Sequence, residues 1–123
     1  MTELLVFVGG AVGAPTRYLI DRHIQQRYET VFPFGTLTVN VVGSLLLGVL
    51  LGLSEGIGVS EGAVALLGFG FCGALTTFST FGFETVRLLQ DGSLIEAGLN
   101  ALGSLLLAAI AAVAGYGLAG PVG

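Results

Sequence analysis

The stretch from Gly68 to Glu84, Gly-Phe-Gly-Phe-Cys-Gly-Ala-Leu-Thr-Thr-Phe-Ser-Thr-Phe-Gly-Phe-Glu, gathers four hydroxyls and four glycines inside an otherwise apolar run. Neither residue type gains from contact with acyl chains, so the segment needs a protein or water environment. Gly68, Gly70 and Gly73 precede Thr76 and Thr77, a combination that weakens helical continuity and predicts a break near the middle of the run. A break there frees backbone carbonyls that need a partner, and an ion is one such partner. Beyond it, Phe78 and Phe81 are three residues apart and share a helical face, while Ser79 and Thr80 offer hydroxyls on adjoining faces. An aromatic packing stripe has the same spacing, so spacing alone leaves both readings open. Bond-making chemistry has nothing to build on: no nucleophile stands near a base, and no metal-ligand spacing occurs. His23 has no second His or Cys near it and reads as a solvated histidine of a polar loop; the lone Cys72 reads as a small packing residue.

Asn40 is the other residue with unusual demands. A carboxamide in a bilayer carries two donors and an acceptor that no acyl chain satisfies, so it must face protein or a water-filled path. It belongs to a stripe, Thr36, Asn40, Ser44, Gly48 and Gly52, at successive i, i+4 positions; Asn100, Ser104 and Ala108 form a similar one later in the chain. Close helix packing accounts for the small members of both stripes. Asn40, about one turn into its apolar stretch, is the better pore candidate, and Asn100 could serve simply as a bond between helices.

These residues must be positioned inside lipid. Of 123 residues, 54% are hydrophobic and 10% charged, with a mean hydropathy of +0.94, far from a soluble domain. Apolar stretches run from Leu4 to Ile20, Thr36 to Leu53, Ala63 to Leu89 and Ala97 to Leu118, each near the span of roughly 20 residues that crosses hydrocarbon. The expected fold is a single four-helix transmembrane domain, an all-α membrane protein whose third helix is broken near its middle. The chain opens Met1, Thr2, Glu3 with no basic segment and no cleavage site, so the first stretch is expected to remain as a span. Polar connections around Asp21 to Pro33, Ser54 to Glu61 and Gln90 to Glu96 leave no room for a soluble domain. The net charge of -4 gives no basic patch for nucleic acid.

Four crossings put both termini on one side and the first and third connections on the other. Arg17, Arg22, Arg27 and Arg87 all belong to that second side, which favours cytoplasmic first and third connections. Arg17 and Arg87 lie close enough to the spans to pair there instead. The chain also matches itself at an offset of 60 residues: Asn40, Gly43 and Ser44 recur as Asn100, Gly103 and Ser104, and Gly10, Gly13, Ala14 and Thr16 recur as Gly70, Gly73, Ala74 and Thr76. Two parallel copies of a two-helix unit, or chance in a chain rich in small residues, both account for this.

Thr76-Thr77-Phe78-Ser79-Thr80-Phe81 with Glu84 following resembles the signature of the Fluc, or CrcB, fluoride channel family. Gly9-Gly10-Ala11-Val12-Gly13-Ala14-Pro15-Thr16-Arg17-Tyr18 and Pro33-Phe34-Gly35-Thr36-Leu37-Thr38-Val39-Asn40-Val41-Val42-Gly43 are similar to its other two motifs, so the likeness spans nearly the whole chain. Ala74 departs from the pattern, since many members have a second glycine there; a backbone carbonyl survives the exchange.

The resemblance implies a fluoride-selective channel of the cell membrane that exports fluoride passively, with no enzymatic activity. It implies an antiparallel, dual-topology dimer, made with a second copy of the chain or with a homologous chain, with two pores along the subunit interface. By the same likeness the pore maps to Asn40, Phe78, Phe81, Ser79 and Thr80. A structural sodium ion maps to the backbone carbonyls of Gly73 and Thr76, and Arg17 and Glu84 take structural or vestibule roles. Aromatic edges are the positive side of the ring quadrupole, and hydroxyls and carboxamides are neutral donors, so both suit an anion that must also leave. A small multidrug exporter has similar length and helix number but relies on a carboxylate deep in its first span, and none lies between Leu4 and Ile20. A membrane assembly subunit would leave the hydroxyl and phenylalanine cluster unexplained.

Overall fold

The computed structural model describes residues 2–28 and 32–121. Four helices long and apolar enough to cross a membrane make up the chain: α1 (Thr2–Arg27), α2 (Phe34–Gly56), α3 (Glu61–Gln90) and α4 (Leu94–Ala119). No strand occurs among the described residues. Each helix encloses one apolar stretch and runs past it at both ends.

The excess is largest in α1, and it corrects the polar loop expected from Asp21 onward. Asp21, Arg22 and His23 lie in the last turns of α1, which continues to Arg27. Hydropathy ends at Ile20 but helicity does not, because Gln25, Gln26 and Arg27 are good helix formers and Arg22 Nη1 donates to Tyr18 Oη one turn back, at 3.2 Å. At 26 residues α1 is about 39 Å long, more than the roughly 30 Å of hydrocarbon, so its polar end projects toward the headgroups. Gln25 then ties that end to the next helix: its Oε1 accepts the Gly35 N–H at 3.0 Å and its Nε2 donates to the Phe32 carbonyl at 3.3 Å.

The other connections are tight. Gly58, at φ +86°, turns the chain after α2, and the Ser60 hydroxyl accepts the Ala63 N–H to cap α3. Gly92, at φ +79°, turns it again before α4.

Packing is pairwise and parallel. α1 lies along the first half of α3, with Leu5 near Gly62, Gly9 against Gly70 and Gly13 against Ala74; α2 lies along α4, with Gly48 on Ala112 and Gly52 on Tyr116 and Gly120. The helices matched by the 60-residue offset are therefore packing partners. A Cβ at Gly9 would collide with the Leu66 carbonyl and one at Gly48 with the Ala112 carbonyl, so backbones touch where side chains would otherwise stand. Lipid provides no hydrophobic reason for two helices to associate, which is why such close approach has to supply it. The outer surface carries the large apolar side chains, among them Phe7, Phe69, Leu102 and Ile110, and the interior is made of small residues with Val39, Ala65 and Leu75.

Two stretches are wound more loosely than an α-helix, with i→i+5 turns: Val64–Cys72 in α3 and Leu99–Gly103 in α4. The α-helical conformation of α3 stops at Leu75, Thr76 is extended (φ −80°, ψ 158°), and helix resumes over Ser79–Gln90.

Candidate functional site

Every backbone group released at Thr76 is in a membrane span and needs a partner. A continuous helix would give the Thr77 N–H to the Gly73 carbonyl; here it goes to Asn40 Oδ1 at 2.7 Å, and Asn40 Nδ2 returns a bond to the Thr77 carbonyl at 3.0 Å. The Thr80 N–H, which would go to the Thr76 carbonyl, goes to Thr77 Oγ1 at 3.1 Å instead, so Thr77 caps the resumed helix. Arg17 Nε donates to the Ala74 carbonyl at 3.2 Å, placing a cation against the end of the first half of α3, where helix carbonyls are exposed. Thr76 turns its own hydroxyl back to the Cys72 carbonyl at 2.9 Å. The carbonyls of Gly73 and Thr76 thereby lose the donors that helix continuity would have supplied.

A groove of about 540 Å³ runs along the break between α2, α3 and α4. Asn40, Gly43, Ser44, Gly73, Thr76, Thr77, Phe78, Phe81 and Ser104 are in its wall, amid leucines and Phe69. The rings of Phe78 and Phe81 stand with centroids 5.8 Å apart and planes inclined by 45°. They differ sharply in surroundings: Phe81 is 9% exposed and Phe78 78%. In a single chain, then, one ring is packed and the other projects outward.

Five of the expected site residues therefore meet at one groove: Asn40, Phe78, Phe81, Gly73 and Thr76. Ser79 and Thr80 lie on the first turn of the resumed helix and are not in the groove wall; the Ser79 hydroxyl sits 3.4 Å from that of Thr77. Arg17 reaches the break from α1. Glu84 is one turn beyond Phe81, beside Thr36, and its Oε1 is buried with no hydrogen-bond partner among the described residues. Thr77, Ser44 and Ser104 also line the groove, beyond the site residues that the sequence motifs indicate. Ser44 and Ser104 carried a signal, since each is four residues past an asparagine; Thr77 carried none beyond standing at the break.

No group of three or more His, Cys, Asp or Glu side chains able to hold a metal occurs among the described residues. The oxygen-only set at the break, the Gly73 and Thr76 carbonyls, suits a hard cation of low charge. A small anion would find different partners: neutral N–H and O–H donors and the hydrogen-bearing edges of aromatic rings.

The fold and the site define a multi-pass helical membrane protein whose polar interruption in α3 opens onto a groove. Residues 4–116 match the model of the CrcB-like protein, Camphor Resistance (CrcB), family, and the chain belongs to that family. It is 52% identical to fluoride-specific ion channel FluC 1 of Frankia casuarinae over 125 residues, covering 97% of this chain and 96% of the relative. It is 48% identical to fluoride-specific ion channel FluC 1 of Streptomyces avermitilis, over 94% of this chain and 93% of that one. Fluoride-specific ion channel FluC of Shewanella baltica OS185 is 50% identical over 85% of this chain and 84% of its own.

Proposed function

We propose that the chain is a fluoride-specific ion channel of the cell membrane, a passive conductor of fluoride and not an enzyme. The observation that carries the reading is the meeting of Asn40, Phe78 and Phe81 at the interruption of α3, in a chain about half identical to proteins named fluoride-specific channels. Fluoride holds its water tightly, so a path for it must offer replacement donors without trapping it. Ring edges and the neutral donors of Asn40, Ser79 and Thr80 meet that requirement, whereas a buried cation would bind the anion too strongly to release it.

The working unit is a dimer of oppositely oriented chains, with two pores along the interface. Phe78, exposed in one chain, fits a position completed by a second. A sodium ion held by the Gly73 and Thr76 carbonyls of both chains would neutralise the oxygens freed at the break. Arg17 and Glu84 then have supporting roles, Arg17 at the Ala74 carbonyl and Glu84 at the side of the path beside Thr36. Proton-coupled export is disfavoured by the absence of an acidic residue from Leu4 to Ile20.

The test is ion efflux from liposomes containing only this purified polypeptide. Fluoride is expected to leave much faster than chloride, and equal rates for the two would refute selectivity. Flux that appears only when a homologous chain is added would make the unit a heterodimer.

A further inference from the structure

We infer that Asn100 is a positioning residue for Phe81, acting from α4 through Thr85; the inference rests on the reading of Phe81 as part of the ion path. Asn100 is 0% exposed, and its amide nitrogen and its oxygen each hold a side-chain partner. Nδ2 donates to Thr85 Oγ1 at 2.8 Å, and Oδ1 accepts from Ser104 Oγ at 3.2 Å. Thr85 Oγ1 has a single hydrogen, and it is given to the Phe81 carbonyl at 2.8 Å. The relay thus has one direction: Asn100 amide to Thr85 hydroxyl to Phe81 backbone.

The half of α3 that carries the Phe81 ring is a short helix, Ser79–Gln90, with Phe78 immediately before its first residue, and it is cut loose at its start from the helix before it. Something outside it must fix its rotation about its own axis, because a rotated segment would carry the Phe81 ring off the groove. Asn40 holds the leading end through the Thr77 backbone, and Asn100, its match at the 60-residue offset, holds the same segment one turn past Phe81. Asn100 also lies within the loosely wound stretch Leu99–Gly103, a distortion that proteins favour at functional positions. A buried amide bonded at both its nitrogen and its oxygen is a rigid support in a medium that offers no water as a substitute.

The experiment compares Thr85→Val with Thr85→Ser, which share size or chemistry with threonine but not both, and adds Asn100→Leu. Each is reconstituted and assayed for fluoride efflux, with dimer content measured by size exclusion. Thr85→Val and Asn100→Leu are expected to lower efflux about tenfold, and Thr85→Ser to remain within about twofold of the natural chain, the span one buried hydrogen bond commands. In a Phe81→Ile background, already slow, Thr85→Val is expected to add nothing. Natural efflux in Thr85→Val, beside a slow Phe81→Ile, overturns the relay and leaves the channel reading intact. Equal loss in Thr85→Ser and Thr85→Val likewise overturns it, since a hydroxyl would then not be what matters. Natural efflux in Phe81→Ile removes the reading and the inference together.

Discussion

The side chain of Asn40 is bonded twice to the backbone of Thr77, accepting its N–H at 2.7 Å and donating to its carbonyl at 3.0 Å. An amide and a peptide unit paired in this way resemble two neighbouring strands, and the pairing replaces what the helix lost at Thr76. Asn40→Leu leaves both Thr77 groups without a partner in a span, at a cost of about 1–3 kcal/mol each. The variant is expected to unfold several degrees lower in detergent and to lose most fluoride efflux. An unchanged midpoint and unchanged efflux would make the pairing incidental.

Gly43 of α2 faces the methyl group of Thr76 so closely that a Cβ there would run into Thr76 Cγ2. Gly43→Ala therefore pushes on the residue at the break, and overfilling so tight a contact costs on the order of 1–3 kcal/mol, about tenfold or more if it falls on the path. Thr76→Ser removes the methyl and keeps the hydroxyl that bonds the Cys72 carbonyl. The double variant is expected to recover much of the efflux that Gly43→Ala loses. Losses that simply add would place the two residues in separate roles.

What could be read in the residues follows from what lipid demands locally. Four apolar stretches and a polar, glycine-rich third one are statements about composition over a short window, and each falls in a helix of the fold. The extension of α1 to Arg27 was hidden because hydropathy stops at Ile20 while hydrogen bonding does not need apolar residues. Asn40 and Asn100 announced a need for partners without naming them: Thr77 and Thr85 become those partners only once α2, α3 and α4 are set at their mutual angles. The loosely wound turns of α3 and α4 have no compositional mark at all. The 60-residue match carried no information about contact, because small residues recur by chance as readily as by duplication; that the matched helices pack on one another, α1 on α3 and α2 on α4, belongs to the fold alone.

Gly48 and Gly117 separate close approach from mere glycine content. A Cβ on Gly48 meets the Ala112 carbonyl, backbone that has no flexible end to yield, so Gly48→Ala must force α2 and α4 apart at about 1–3 kcal/mol. Gly117 has nothing within 4 Å of such an atom, and Gly117→Ala is expected to be neutral or to gain up to about 1 kcal/mol from helix propensity. Thermal midpoints in one detergent should move in opposite directions or, at the least, fall for Gly48→Ala alone. A matching fall in both would mean that the α2–α4 contact is no tighter than the outer surface.

Arg17 is anchored by the Ala74 carbonyl, which leaves Arg22, Arg27 and Arg87, all exposed, to bias insertion from the end of the bundle that carries the first and third connections. With no Lys or Arg elsewhere in the chain, the termini are expected to face outward in most copies. An antiparallel pair of identical chains needs the opposite orientation as well, so that bias limits how many such pairs form. Replacing Arg22 and Arg27 together by Gln should raise the share of copies with inward termini, read by protease protection of terminal tags in oriented vesicles. If identical chains are the partners, dimer yield should rise with that share toward equal halves. A shifted orientation with no gain in dimer would point to a separate, oppositely oriented chain as the natural partner, and an unshifted one would mean these arginines do not set the insertion.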